Sequence, residues 1–452
     1  MICDMSEKAK TSNKKKSTVR HTRAIQRNRS MRPIAAPPAE QVSARLQEVI
    51  LPAAQVKQKK AHHDFGVRAR KLTLVVMTAF VISLIWRQVG SVSDGVRLLN
   101  SEGLLWAAAI AVSQQAVSQR LGTLPAELFL RVLTSVLPVF HARWQERQRP
   151  LPPELAWAQA HYTQVVACDG STLDALLRKV GLLRDAPVHP LAGRMTALLD
   201  LCSRLPRHVW YEPDPAAHDQ RFWPCILTVL KAGALLIFDL GYTNFQVFAR
   251  LTAAEVTFIT RAKRNLSFQV ERCLYRSANV QDLLVWVGSG ADRQLLRLVK
   301  VRYRGKWYRY LTNELDPERL PIAYVVALYW QRWRIEDAYA IVKRLLGLAY
   351  FWTGAENGVC LQLWATWMLY AVLVDLTDAV AEALQKPFAA ISLEMVYRSL
   401  YFFGQAVLRG EATDLIAYLV ANAKPLGLLK RKRKHKRLSL ALLLDLTNPA
   451  KA

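Results

Sequence analysis

"ALLIFDLGYTNFQVFARL" (residues 234–251) is the stretch that decides the fold class of this chain. Five apolar residues run unbroken from Ala234 to Phe238, as in a strand buried on both faces. Asp239 closes the run, Gly241 follows as a turn residue, and apolar side chains then recur at helical spacing. A strand that passes into a helix through an acid and a glycine predicts an α/β chain. It puts the acid at the C-terminal tip of the strand.

Upstream, "QVVACDGS" (164–171) repeats the pattern, an apolar run closing on Asp169 and Gly170. Between the two, "GRMTALLDLCSRLP" (193–206) and "HVWYEP" (208–213) read as further strands, and "HDQRFWPCILTVLKAG" (218–233) reads as a helix stopped by Gly233. Strand, strand, strand, helix, strand is a mixed α/β order. Downstream, residues 267–313 alternate apolar side chains with Arg and Lys, which predicts a sheet with one wet, basic face. "GSGADR" (288–293) reads there as a hairpin turn. A long helix is expected over 319–346 and an apolar one at "LQLWATWMLYAVLV" (361–374).

The N-terminal part has another texture. Residues 1–40 are basic and then proline-bearing, as in a disordered tail, and residues 41–148 are patterned as helices. Within them, "LLWAAAIAVSQQAVSQRLGTLPAELFLRVL" (104–133) reads as an apolar helix, a short second helix, a break at Gly122 and a third helix. That composition suits a helix-turn-helix, with Ser and Gln for base edges and Arg120 for phosphate, and equally a plain helical bundle. "RQRPLPPELAW" (147–157) places three prolines in four positions and reads as a linker.

The net charge is +27, from 62 basic and 35 acidic residues. Residues 1–33 carry +8 and "KRKRKHKR" (430–437) carries +7, so +12 remains for the rest. Such a balance implies a polyanionic partner, nucleic acid or an acidic membrane surface, and the two arms read either as phosphate grips or as solvated runs. Six cysteines without a CxxC pair fit a reducing cytoplasm, and adjacent His62 and His63 read as a surface pair rather than a metal site. No apolar leader is expected at the N-terminus. The fifteen apolar-rich residues "LTLVVMTAFVISLIW" (72–86) are short for a membrane span and read as a buried helix.

The helix "YWQRWRIEDAYAIVK" (329–343) concentrates charge on one side. At about 100° per residue, with Tyr329 at 0°, Arg332 falls near 300°, Lys343 near 320° and Glu336 near 340°, while Asp337 falls near 80°. One face thus carries a hydroxyl, a guanidinium, a carboxylate and an ammonium, suited to a phosphodiester beside a metal ion. The same spacing would serve an exposed Arg332–Glu336 salt bridge. Asp169 and Asp239, at two strand tips, add two more carboxylates. Three converging acids need cations to neutralise them, and oxygen-only ligands point to Mg²⁺, with Mn²⁺ as a substitute, in a pair of ions.

The spacing Y-x2-R-x3-E-x6-K, with "VVACDGST" and "LLIFDLGYTNFQVFARL" before it and "FITRAKRN" (258–265) after the second, resembles DDE transposases of the insertion-sequence-4 type. The resemblance runs from about residue 70 to 375. It implies an RNase H-like mixed sheet flanked by helices, with Asp169, Asp239 and Glu336 as the metal-binding triad. Tyr329, Arg332 and Lys343 would hold the terminal phosphate. It also implies a β-strand insertion (266–318) within a catalytic domain at 156–400, a helical DNA-binding domain at 41–148, and a helical, basic segment at 401–452. An aromatic of the insertion would stack on a flipped base; the register favours Tyr308, with Trp307 beside it. The implied reaction is Mg²⁺-dependent cleavage at the inverted repeats of a mobile element, hairpin formation and strand transfer into target DNA, by a homodimer acting at the nucleoid in the cytoplasm and not at a membrane. Three other readings stay open: a nuclease that cuts without joining, a non-catalytic DNA-binding regulator using residues 104–133 and the basic arms, and a membrane-associated protein using residues 72–86.

Overall fold

The computed structural model describes residues 40–68, 70–173, 193–348, 351–353, 355–430 and 440–446. The N-terminal arm and nearly all of the 430–437 run lie outside the described residues.

Nine strands form one sheet: β1 (Gln164–Thr172), β2 (Arg194–Asp200), β3 (Pro206–Glu212), β4 (Ala234–Phe238), β5 (Thr257–Arg261), β6 (Phe268–Arg276), β7 (Val280–Val287), β8 (Gln294–Tyr303) and β9 (Lys306–Thr312). Their order is β3-β2-β1-β4-β5-β9-β8-β7-β6. β1, β2 and β3 pair antiparallel, and β1, β4 and β5 run parallel. This is the RNase H-like arrangement. The expected insertion is the antiparallel meander β6–β9, and it extends the same sheet, because β9 pairs antiparallel with β5.

β4 shows why the apolar run had no polar alternation. Leu235 and Ile237 enter the core on one face, while Leu236 and Phe238 enter the core on the other. The side-chain period of two therefore loads both faces. The first face is covered by α6 (Pro153–His161) and α9 (Ile322–Gln331), the second by α7 (Trp223–Val229) and α8 (Phe245–Ala253).

The remaining helices are α1 (Glu40–Phe65), α2 (Leu74–Trp86), α3 (Val92–Ser101), α4 (Gln114–Thr123), α5 (Ala126–Glu146), α10 (Trp333–Ala340), α11 (Glu356–Ala383), α12 (Leu393–Leu408), α13 (Leu415–Ala421) and α14 (Leu440–Leu446). α2 is a buried helix, as its composition predicted. α11 is long and apolar enough to cross a membrane, yet its apolar window is wholly buried by protein. Leu46, Phe80, Val132, Trp367, Phe403 and Leu415 belong to one cluster. Helices on both sides of the boundaries at 148 and 401 thus share a core, since none can bury its apolar face alone. Buried ion pairs lock them: Arg147 on Asp375 and Asp378, at 2.7 and 3.1 Å.

Local expectations differ from the structure in four places: Gly122 lies inside α4 rather than at a break, the stretch 147–157 read as a linker passes into α6 at Pro153, and two longer segments depart further. Residues 104–112 are not a helix. Gly103, at φ +77°, turns the chain, and Asn100 then holds Val112 through two 3.1 Å hydrogen bonds, so the segment folds back along the end of α3. A three-helix reading of 104–133 therefore reduces to α4 and α5, which are bent by 73°. The helix expected over 319–346 begins at Ile322, tightens at Arg332 and ends in a π-turn over Ile341–Leu345. Pro321 sets the start, and π-turns are common where a helix serves a site.

Candidate active site at the tips of the central strands

In the parallel pair β1–β4, Cys168 lies opposite Phe238. The next residue on each strand is an aspartate, so the register alone sets Asp169 and Asp239 abreast. This is the edge of an α/β sheet where ligands bind.

The α9–α10 helix brings the third acid. Arg332, 5% exposed, donates to Asp169 Oδ2 at 2.7 Å and to Glu336 Oε1 at 3.0 Å. Tyr329 Oη donates to Asp239 Oδ1 at 3.0 Å. Lys343 Nζ donates to Ser171 Oγ at 3.1 Å and to the Thr172 carbonyl at 2.7 Å, beside the end of β1. Tyr329, Arg332 and Lys343 contact the two strand tips, Glu336 is held beside them through Arg332, and exposed Asp337 pairs with Arg334 at 3.4 Å. The i,i+4 salt bridge and the convergent site coexist, because one guanidinium serves both acids.

The electrostatics follow from crowding. Burial, with smaller pushes from Asp239 and Glu336, raises the Asp169 carboxyl to about 6, although Arg332 and the Gly170 amide hold it down. Burial also raises the Tyr329 hydroxyl, so it stays a donor to Asp239. Among the described residues no three acids, histidines or cysteines stand as a ready metal cluster. Arg332 lies between two of the three and supplies the positive charge. The donor set nevertheless fits a hard divalent cation: oxygen ligands, with like charges that a cation would relieve.

Two groups escaped the sequence reading. Tyr339 Oη donates to the Asp169 carbonyl at 2.6 Å and accepts from the Ala197 amide at 3.0 Å, fixing β1 against β2. The same angular count puts Tyr339 near 280°, about 20° from Arg332, so the helix wheel held that signal. Asp219, ion-paired with Arg194, sits where side chains at Gly170 and Gly241 would be: a Cβ on Gly170 would come within 2.2 Å of its Oδ1, and one on Gly241 within 2.7 Å of its Oδ2. The glycines after both aspartates thus make room for one carboxylate that spans the two tips. Nothing local marks Asp219.

The other named residues stand apart. Arg120 Nε donates to the Leu72 carbonyl at 3.0 Å and is partly desolvated, so it braces the helical layer. Tyr308 packs on Trp330, ring centroids 6.3 Å apart, whereas Trp307 is 39% exposed. Both border a cleft of about 390 Å³ with Arg261, Arg264, Lys306 and Arg309.

Residues 192–371 match the family described as a transposase DDE domain. That span is similar to a transposase DDE domain. The matched span holds Asp239 and the whole helix face, and the β1–β4 pairing adds Asp169 from outside it. A Sinorhizobium fredii protein named as a transposase (y4zB) is 31% identical over 157 residues, covering 32% of this chain and 43% of that protein. A Geobacillus stearothermophilus protein named as a transposase for insertion sequence element IS5377 is 28% identical over 156 residues, covering 33% and 41%. This chain spans less than half the length of these relatives. A piggyBac transposase solved as a synaptic complex with hairpin DNA aligns with a TM-score of 0.42 at 11% identity, over 89% of this chain and 86% of that one.

Proposed function

We propose that this protein is a DNA transposase of the insertion-sequence-4 type, cutting at the ends of a mobile element and joining them to target DNA. The observation that carries the reading is the convergence of Asp169, Asp239 and Glu336 with Tyr329, Arg332 and Lys343 at two adjacent strand tips. The three carboxylates would hold a pair of Mg²⁺ ions, with Mn²⁺ able to substitute. Such ions, when bound, lower the pKa of an attacking water or hydroxyl and stabilise the leaving oxygen. Arg332 and Lys343 can turn their N–H groups to the non-bridging oxygens of a phosphate. Tyr329 keeps Asp239 aimed through its hydroxyl, and burial of Arg332 and Tyr329 limits water at the tips. Trp307 is an exposed aromatic of the insertion able to stack on an extruded base, with Tyr308 behind it, and Arg120 keeps a helical layer in shape that meets DNA elsewhere. Hairpin ends, a homodimer holding both element ends, and action at the nucleoid in the cytoplasm complete the reading, with the basic arms adding sequence-independent grip.

The test uses DNA carrying the inverted repeats that flank the gene, incubated in Mg²⁺ with wild type or Glu336→Gln and resolved on a denaturing gel. Nicks, hairpins and joined products from the wild type alone are expected. Cleavage that survives Glu336→Gln would remove Glu336 from the triad, and cleavage without joining would make the protein a nuclease.

A further inference from the structure

A second cleft, of about 580 Å³, is walled by Thr243, Arg261, Lys263, Phe268, Trp286 and Arg293. The volume falls in the ~300–1,000 Å³ range of ligand pockets. No carboxylate belongs to its wall. Two nearby acids are engaged: Glu271 accepts the Trp286 indole N–H at 2.8 Å, and Asp292 accepts from Gln246 at 3.4 Å. The Arg293 guanidinium lies 4.7 Å over the Trp286 ring and donates to Gln269 at 3.1 Å, so an aromatic and a guanidinium plane are held ready.

The cleft is joined to the catalytic tips. Thr243 is four residues beyond Asp239 on the same turn. Arg261 lines both this cleft and the one at Trp307. Planar groups inside a cationic, acid-free cleft match unstacked bases on a phosphodiester strand. A duplex offers its phosphates but no free base faces.

We propose that this cleft seats a single-stranded DNA segment adjoining the cut, with a base against the Trp286–Arg293 stack and phosphates on Arg261 and Lys263. The inference rests on the transposase reading for the identity of the strand.

The experiment photo-crosslinks the full chain to an oligothymidylate of about twelve nucleotides, within single-strand site sizes, bearing one 5-iodouracil. An adduct is expected on the tryptic peptide 277–293, which holds Trp286. By fluorescence anisotropy, Trp286→Leu should weaken the same oligonucleotide by about 5- to 100-fold. Lys263→Gln should flatten the salt dependence by about 0.7 in slope. Ser289→Glu, at the exposed rim, changes no buried contact; it should weaken the single strand and leave duplex affinity unchanged. Adducts confined to other peptides, with wild-type affinity in Ser289→Glu, would overturn the proposal. An adduct on 277–293 from a protein that cuts no DNA in Mg²⁺ would keep the single-strand site and remove the transposase reading.

Discussion

Replacing Asp169 by Asn should abolish cleavage and yet make the protein more stable at alkaline pH. The Asp169 carboxyl is raised from an ordinary 3.8 to about 6 by burial and by its acidic neighbours. For a raised acid, the stabilising contribution is complete below the unfolded pKa and is lost as pH climbs through the folded one. With 3.8 and about 6 as the limits, keeping Asp169 ionised costs about 3 kcal/mol at pH 8 and about 1 kcal/mol at pH 4.5. Asn mimics the uncharged form. Asp169→Asn should therefore exceed wild type by up to about 3 kcal/mol at pH 8, with the gap narrowing by about 2 kcal/mol at pH 4.5. Urea unfolding at both pH values without divalent ions reads this directly. Added Mg²⁺ should then stabilise the wild type far more than the variant, because the ion binds the folded site. A variant less stable than wild type at pH 8, or a gap equal at both pH values, would refute the reasoning and make Asp169 an ordinary structural partner of Arg332.

Other positions test other parts of the argument. Gly170→Ala drives a Cβ to within 2.2 Å of Asp219 Oδ1, so it should cost about 1–3 kcal/mol and impair cleavage. Asp219→Ala in the same chain should recover part of that stability in a double-mutant cycle; simple additivity would separate the two residues. Buried His141 is lowered from 6.5 to about 4, mainly by burial. A base lowered in this way loses stability as pH falls, by about 2 kcal/mol between pH 7 and pH 5, and His141→Gln should show a shallower pH dependence by that amount. Asp337→Asn should cut at the wild-type rate, since its exposed pair with Arg334 contributes little; a dead enzyme would mean that the helix face is wrongly read.

Much of the site was legible because its signals are local. Asp169 and Asp239 closed apolar runs, and a helical period put Tyr329, Arg332, Glu336 and Lys343 on one side while rejecting Asp337. Tyr339 obeyed the same period and was passed over, because a tyrosine on a buried face reads as packing. The segment 104–112 misled for the opposite reason. Its alanines and leucines favour a helix, but the Gly103 turn and the Asn100–Val112 pair fold it back on α3, a tertiary override of propensity.

What the sequence by itself determined is the α/β class, the strand tips that bear the acids, the charged face of the 329–343 helix and the strand-rich insertion. Each rests on the spacing of side chains along a few turns or one strand, which backbone geometry converts directly into a face. Tertiary structure alone decided that β1 and β4 pair with Asp169 beside Asp239, and that Arg332 stands between Asp169 and Glu336. It also decided that Asp219 fills the space left by two glycines, and that β9 joins the insertion to β5. These relations link residues far apart in the chain, and they are set by which apolar faces can be buried together, a choice that no local pattern records.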